Sequence, residues 1–137
     1  MPLVYRSMKK DVDGMPVIER TASGLGIRPG VDVDIDQDRN IVLNGKGLSV
    51  SPDWRTLPIY RIPKRLAALV PGSRGSNSTF CFRAGSGPFL RESFASGLEL
   101  LPDSPRHGCV APIQVETLIQ YENDLAATRA QWQVDES

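Results

Sequence analysis

Gln114–Gln133 reads QVETLIQYENDLAATRAQWQ, a run of 20 residues with neither proline nor glycine. Leu118, Tyr121, Leu125, Thr128 and Trp132 recur at i, i+3, i+7, i+10 and i+14. That spacing puts all five on one face of a helix. The run predicts a helix over 114–133 whose apolar face covers a sheet. Everything upstream is shorter and more often interrupted. Eleven prolines and twelve glycines in 137 residues predict short elements.

Several upstream stretches read as strands. Pro2–Ser7 (PLVYRS) is β-branched and aromatic, Thr79–Arg83 (TFCFR) alternates, and His107–Ala111 lies between Pro105 and Pro112. Val31–Asp36 (VDVDID) alternates strictly, which on a strand places three aliphatics on one face and three carboxylates on the other. Asp38-Arg39-Asn40 reads as a turn into a strand over Asn40–Leu43. Pro63–Val70 and Pro88–Ser96 read as short helices, the first stopped by Pro71-Gly72 and the second closed by Gly97. Val17–Leu25 reads as a short helix or as irregular chain. Strands and helices mix without a regular βαβ alternation, so the expected class is α+β in one domain spanning 1–137.

Sixteen basic and 16 acidic residues give a net charge of zero. The distribution is uneven: residues 54–91 hold seven basic residues and no acidic one, and residues 92–137 hold eight acidic and two basic. The balance argues against a nucleic-acid binder that uses its whole surface. The middle segment, with Arg55, Arg61, Lys64, Arg65, Arg74, Arg83 and Arg91, reads either as an anion-attracting surface or as a solvated face balanced by the acidic C-terminal third.

One histidine, His107, and two cysteines, Cys81 and Cys109, exclude two-Cys-two-His and four-Cys zinc sites and HExxH chemistry. The cysteines are too far apart for a redox CxxC and are expected as free thiols. The acidic stretch begins like a calcium loop at Asp34, Asp36 and Asp38. It then has Arg39 where the turn needs glycine, and Gly45 where a bidentate glutamate is needed. No metal site is therefore expected. Gly45-Lys46-Gly47 lacks the length and Gly-Lys-Ser/Thr ending of a phosphate-binding P-loop. No cleaved signal is legible at the N-terminus, and no apolar run approaches the ~20 residues of a membrane helix. The expectation is a cytoplasmic product with no membrane partner, with export by a route that needs no cleaved signal left open.

Two residues stand out singly. Arg6 is the only charge in the first strand, either a surface arginine or a planar donor fork for a phosphate. His107 reads as a structural hydrogen-bond partner or as a catalytic group.

Three separated segments together resemble the ADP-ribosyltransferase fold. Leu3-Val4-Tyr5-Arg6-Ser7 is similar to its first strand, which begins (L/V)-Y-R. Gly47-Leu48-Ser49-Val50-Ser51 is similar to its serine-containing second motif. His107-x-x-Val110-x-Pro112, followed by Arg129-x-Gln131-Trp132, resembles the small cytotoxic effectors of type VI secretion that carry this fold. The resemblance runs from Leu3 to Trp132. It implies a split mixed or antiparallel sheet with flanking helices, NAD as substrate, an intracellular target and a cognate immunity protein. On this resemblance Arg6 holds the diphosphate or adenosine ribose, Ser49 orients the arginine and the nicotinamide ribose with Gly47 beside it, and His107 is the third site residue. The late-strand glutamate common in the wider fold has no match on His107–Ala111, where only Glu99 and Glu116 flank the strand. The alternatives are an NAD-consuming RNA 2′-phosphotransferase, whose family uses several histidines, and a non-catalytic domain docking an acidic partner through residues 54–91.

Overall fold

The computed structural model describes residues 1–137 as an α+β fold of two antiparallel sheets and one α-helix near the C-terminus. The strands are β1 (Val4–Lys9), β2 (Leu48–Val50), β3 (Thr79–Ala84), β4 (Glu92–Ala95), β5 (Leu98–Ser104), β6 (His107–Pro112) and β7 (Gln133–Val134); the helix is α1 (Leu118–Ala126). One sheet has the order β1-β3-β7 and the other β2-β6-β5-β4. No helix is long and apolar enough to cross a membrane.

The sheets meet edge to edge. Tyr5 and Ser51 exchange two backbone hydrogen bonds, Tyr5 N–H to the Ser51 carbonyl at 2.7 Å and Ser51 N–H to the Tyr5 carbonyl at 3.0 Å. An antiparallel ladder continued from that bridge would next pair Arg6 with Val50 and Ser7 with Ser49. It does not continue, and β1 and β2 separate there. A cavity lined by the candidate site residues lies in that opening.

The main core fills the space between the sheets and under α1. Val4 and Met8 of β1, Phe82 of β3, Leu98 and Leu100 of β5 and Val110 of β6 are all buried in it. The opposite face of β1 and β3 carries a second cluster, in which Tyr5 and Cys81 pack with Trp54, Leu57 and Ile62. The irregular segment before β2 contributes Leu25, Ile27, Val33 and Ile41 to the main core without forming a named strand.

The five residues of the C-terminal face, Leu118, Tyr121, Leu125, Thr128 and Trp132, are all buried, as their spacing predicts. The helix itself is shorter than the 114–133 expectation. It begins after Thr117, whose side chain and that of Gln120 form a reciprocal capping box, and it ends at Ala126. There the Thr128 hydroxyl donates to the Leu125 carbonyl at 2.7 Å and accepts from Trp132 Nε1 at 3.0 Å. Arg129 turns away to Asp11, Asp13 and the Pro16 carbonyl. A 3₁₀ turn over Arg129–Gln131 then carries Trp132 inward.

Other elements differ more. Pro88–Ser96 is not a helix: its second half is β4, which turns through Ser96-Gly97 into β5, with Gly97 at φ 78°. A Ser-Gly pair closes a two-residue hairpin as readily as it ends a helix, and here Phe94, Leu98 and Leu100 place their side chains in the core from strands. Pro63–Val70 keeps only a 3₁₀ turn, Lys64–Leu66. Val31–Asp36 and Asn40–Leu43 touch only through isolated bridges, among them Ile35 to Ile41, and Val31 is exposed while Val33 is buried. Hydrogen bonds from the amides of Asp38 and Asn40 to the Asp36 carboxylate form the expected turn. A tight turn over Arg28–Val33, with the Gly30 amide on the Val33 carbonyl and the Asp32 amide on the Arg28 carbonyl, keeps the preceding stretch from a regular strand.

Candidate functional site

A cavity of about 260 Å³ opens where β1 and β2 part. Arg6, Ser49 and His107, drawn from three distant segments, all line it. Gly47 does not. A Cβ at Gly47 would lie 2.5 Å from the Val110 carbonyl oxygen and 3.0 Å from the Tyr121 hydroxyl, so the close approach that needs glycine there is to β6 and α1.

Arg6 alternates with Val4 and Met8 and so points to the main-core side of β1. It is buried and makes no ion pair. Its Nε donates to the Gly24 carbonyl at 3.1 Å and its Nη1 to the Ser49 carbonyl at 3.0 Å. Its Nη2 donates to Thr21 and Ala22 at 3.4 and 3.3 Å. The bond to Ser49 stands in for the ladder bond lost where the strands separate. Burial pushes the guanidinium down to about 10, so it is still charged at neutral pH. Four carbonyl dipoles solvate the cation without neutralising it, leaving its charge available to an anion in the cavity.

Ser49, paired with Cys109 on β6, is exposed at the cavity wall. His107 opens β6, and its Nδ1 lies 2.9 and 2.8 Å from the two Asp103 carboxylate oxygens. In the tautomer that donates Nδ1–H to Asp103, Nε2 is the hydrogen-bond acceptor. The turn Pro105-Arg106 between β5 and β6 brings the two side chains together.

Arg28, Asp32, Tyr60 and Arg61 complete the polar lining, and Leu57 and Pro58 form an apolar wall. Burial pushes the Asp32 carboxyl up, but hydrogen bonds from the Arg28 side chain and amide outweigh it and hold the carboxyl below its ordinary value. Arg61 lies over the Tyr60 ring, 5.3 Å from its centroid, and has no carboxylate partner. Three arginines thus face one carboxylate, so the cavity favours an anion. In the sequence Arg61 is only one of seven basic residues over 54–91 and Asp32 only part of an alternating stretch, so no local signal marks either. Asp103 was legible only as an acid four positions before the sole histidine.

The other basic residues of 54–91 are largely spoken for. Arg65 pairs with Glu136, Arg83 with Asp135, Arg91 with Glu99 and Arg55 with Asp53. Both cysteines are free and buried, and burial pushes the Cys81 thiol up to about 12.

No family model matches the chain, and no curated protein or solved structure matches it either.

Proposed function

We propose that this chain is a cytotoxic effector of the ADP-ribosyltransferase type, binding NAD in the cavity between β1 and β2 and cleaving its nicotinamide–ribose bond. One observation carries the reading: Arg6, Ser49 and His107, the residues of three separate family-like motifs, line a single cavity with an excess of arginine. The cavity's volume of about 260 Å³ is just below the ~300–1,000 Å³ of ordinary ligand sites. It suits one half of a dinucleotide, with the other half on the exposed rim beside Tyr60. Arg61, which has no carboxylate partner, is placed to grip phosphate, while Arg28 is held bidentately by Asp32 and Arg6 adds fixed positive charge behind them.

In the reaction, the bond from ribose C1′ to the nicotinamide nitrogen breaks and its electron pair leaves with neutral nicotinamide. The resulting oxocarbenium-like centre is attacked by a nucleophile of the target, or by water. His107, oriented by Asp103, takes the proton that the nucleophile loses. Asp32 is the one carboxylate among the lining residues and supplies the negative charge that suits a developing cation. In this reading the protein acts in the cytosol of a target cell, and an immunity protein protects the producer.

A docking domain is less well supported, because four of the seven basic residues in 54–91 are already paired within the chain. The test combines growth and chemistry. Expression in cells without a protective partner should arrest growth. The purified chain should release nicotinamide from NAD, with His107→Ala lowering the rate at least about 10²-fold. Normal growth together with no NAD binding by calorimetry would overturn the proposal.

A further inference from the structure

We propose that Asp103, His107 and Cys109 form a binding site for a zinc-class divalent cation at the edge of the cavity. His107 and Cys109 are two positions apart on β6, so their side chains share a face of the strand. Asp103 comes from the end of β5 across the Pro105-Arg106 turn, with both carboxylate oxygens already within 2.9 Å of His107 Nδ1. One donor atom from each of the three lies within 4.8 Å of the other two.

The donor set selects the metal. A thiolate, an imidazole and a carboxylate suit zinc and its chemical relatives. Magnesium and calcium take oxygen ligands and would leave the sulfur unused. The histidine and cysteine counts exclude two-Cys-two-His and four-Cys sites, but not a site with one of each plus a carboxylate. Tetrahedral bonds of roughly 2.0–2.3 Å place ligand atoms about 3.4 Å apart. Closing the set onto a cation therefore opens the Asp103–His107 contact from 2.8 Å and draws any donor as far as 4.8 Å in by about an ångström, movement that the exposed Asp103 and half-buried His107 side chains can supply.

The charges also balance. Binding releases the Cys109 thiol proton to solvent, and the imidazole proton moves to Nε2 as Nδ1 takes the metal, so in the metal-loaded state His107 no longer accepts a proton. Thiolate and carboxylate then cancel the dication, so a neutral assembly sits against the buried Cys109. Three protein ligands leave a fourth position open, as in zinc sites that bind a water or a substrate group. His107 is the member of the trio that also lines the cavity, so the metal would lie within reach of an anion held there.

Cobalt(II) titration tests the site without any nucleotide, so it succeeds or fails independently of the NAD proposal. One equivalent of cobalt should produce a near-ultraviolet thiolate-to-cobalt charge-transfer band, which zinc then abolishes. The band should persist in Cys81→Ser and vanish in Cys109→Ser. Zinc affinity should fall at least about tenfold in His107→Ala and in Asp103→Asn, since losing a ligand costs no less than losing an outer-shell partner. No band, or a band that survives Cys109→Ser, overturns the proposal. Weak binding that ignores all three variants also overturns it, because it reports surface carboxylates. If circular dichroism shows that Cys109→Ser does not fold, the exposed Asp103 decides: unchanged zinc affinity in Asp103→Asn overturns the site.

Discussion

Arg6 holds four carbonyls from two stretches of chain, three in the Thr21–Gly24 loop and one in β2. Hydrogen bonds from a charged donor contribute about 1.5–3 kcal/mol each, and buried acceptors left unpaired are costly. Arg6→Ala should therefore destabilise the fold by at least about 3 kcal/mol, read as a lower urea midpoint with an unchanged slope. A midpoint equal to that of the unaltered chain would show that the four bonds do not anchor the loop. It follows that loss of toxicity in Arg6→Ala would not by itself identify a catalytic arginine. Ser49 and His107 are more exposed and hold less of the fold together, so their substitution separates activity from folding more cleanly.

Between elements, one hydroxyl ties α1 to the second sheet. Tyr121 Oη donates to the Val110 carbonyl at 2.6 Å and accepts from the Leu48 amide at 3.0 Å. It thereby closes the β2–β6 ladder at the end where Gly47 permits close approach. Tyr121→Phe keeps the packed ring and leaves both buried backbone groups without a partner, which costs about 1–3 kcal/mol. Hydrogen exchange should quicken selectively at the Leu48 amide; uniform exchange across the chain would contradict a local clamp. The position of Tyr121 on the buried face was legible from its spacing with Leu118 and Leu125. The role of its hydroxyl was not, because its partners lie on strands 11 and 73 positions away. The β4–β5 hairpin is not legible locally for a related reason. Ser96-Gly97 terminates a helix or turns a hairpin equally well, and only the core beneath Phe94 and Leu98 selects between them.

Across the whole molecule, pH dependence follows from carboxyls shifted in opposite directions. Asp13 is held below its ordinary value by Arg129, Asp34 by Lys46 and Asp135 by Ser137. Their stabilisation is complete above the unfolded value near 3.8 and is lost as pH falls through the lowered folded values. Glu116 behaves oppositely: burial, reinforced by the neighbouring Asp124 carboxyl, pushes it up to about 7. Its contribution is complete below 4.5 and is lost as pH rises through about 7. Stability should thus peak in the weakly acidic range and decline towards neutrality. Glu116→Gln should flatten that decline in thermal melts between pH 5 and 8, and an unchanged slope would assign it elsewhere.

Local pattern was enough for the α+β class, for β1, β3 and β6, and for the buried face that continues past α1 to Trp132. Those features depend on alternation and helical spacing, which neighbouring residues impose directly. The zero net charge concealed a basic segment, and folding divides that segment in two. Arg65, Arg83 and Arg91 find acids of the C-terminal third, while Arg61 is left facing the cavity. No spacing rule encodes that division: Arg65–Glu136 and Arg83–Asp135 join distant segments that meet only in the folded chain, and Arg91–Glu99 depends on the β4–β5 hairpin, which local pattern does not specify. The same holds for the cavity. Arg6, Ser49 and His107 stand out one by one along the chain, but their convergence needs a ladder that starts at Tyr5 and Ser51 and then opens. Whether adjacent strands stay paired depends on what packs between them, and that is settled only by the folded whole.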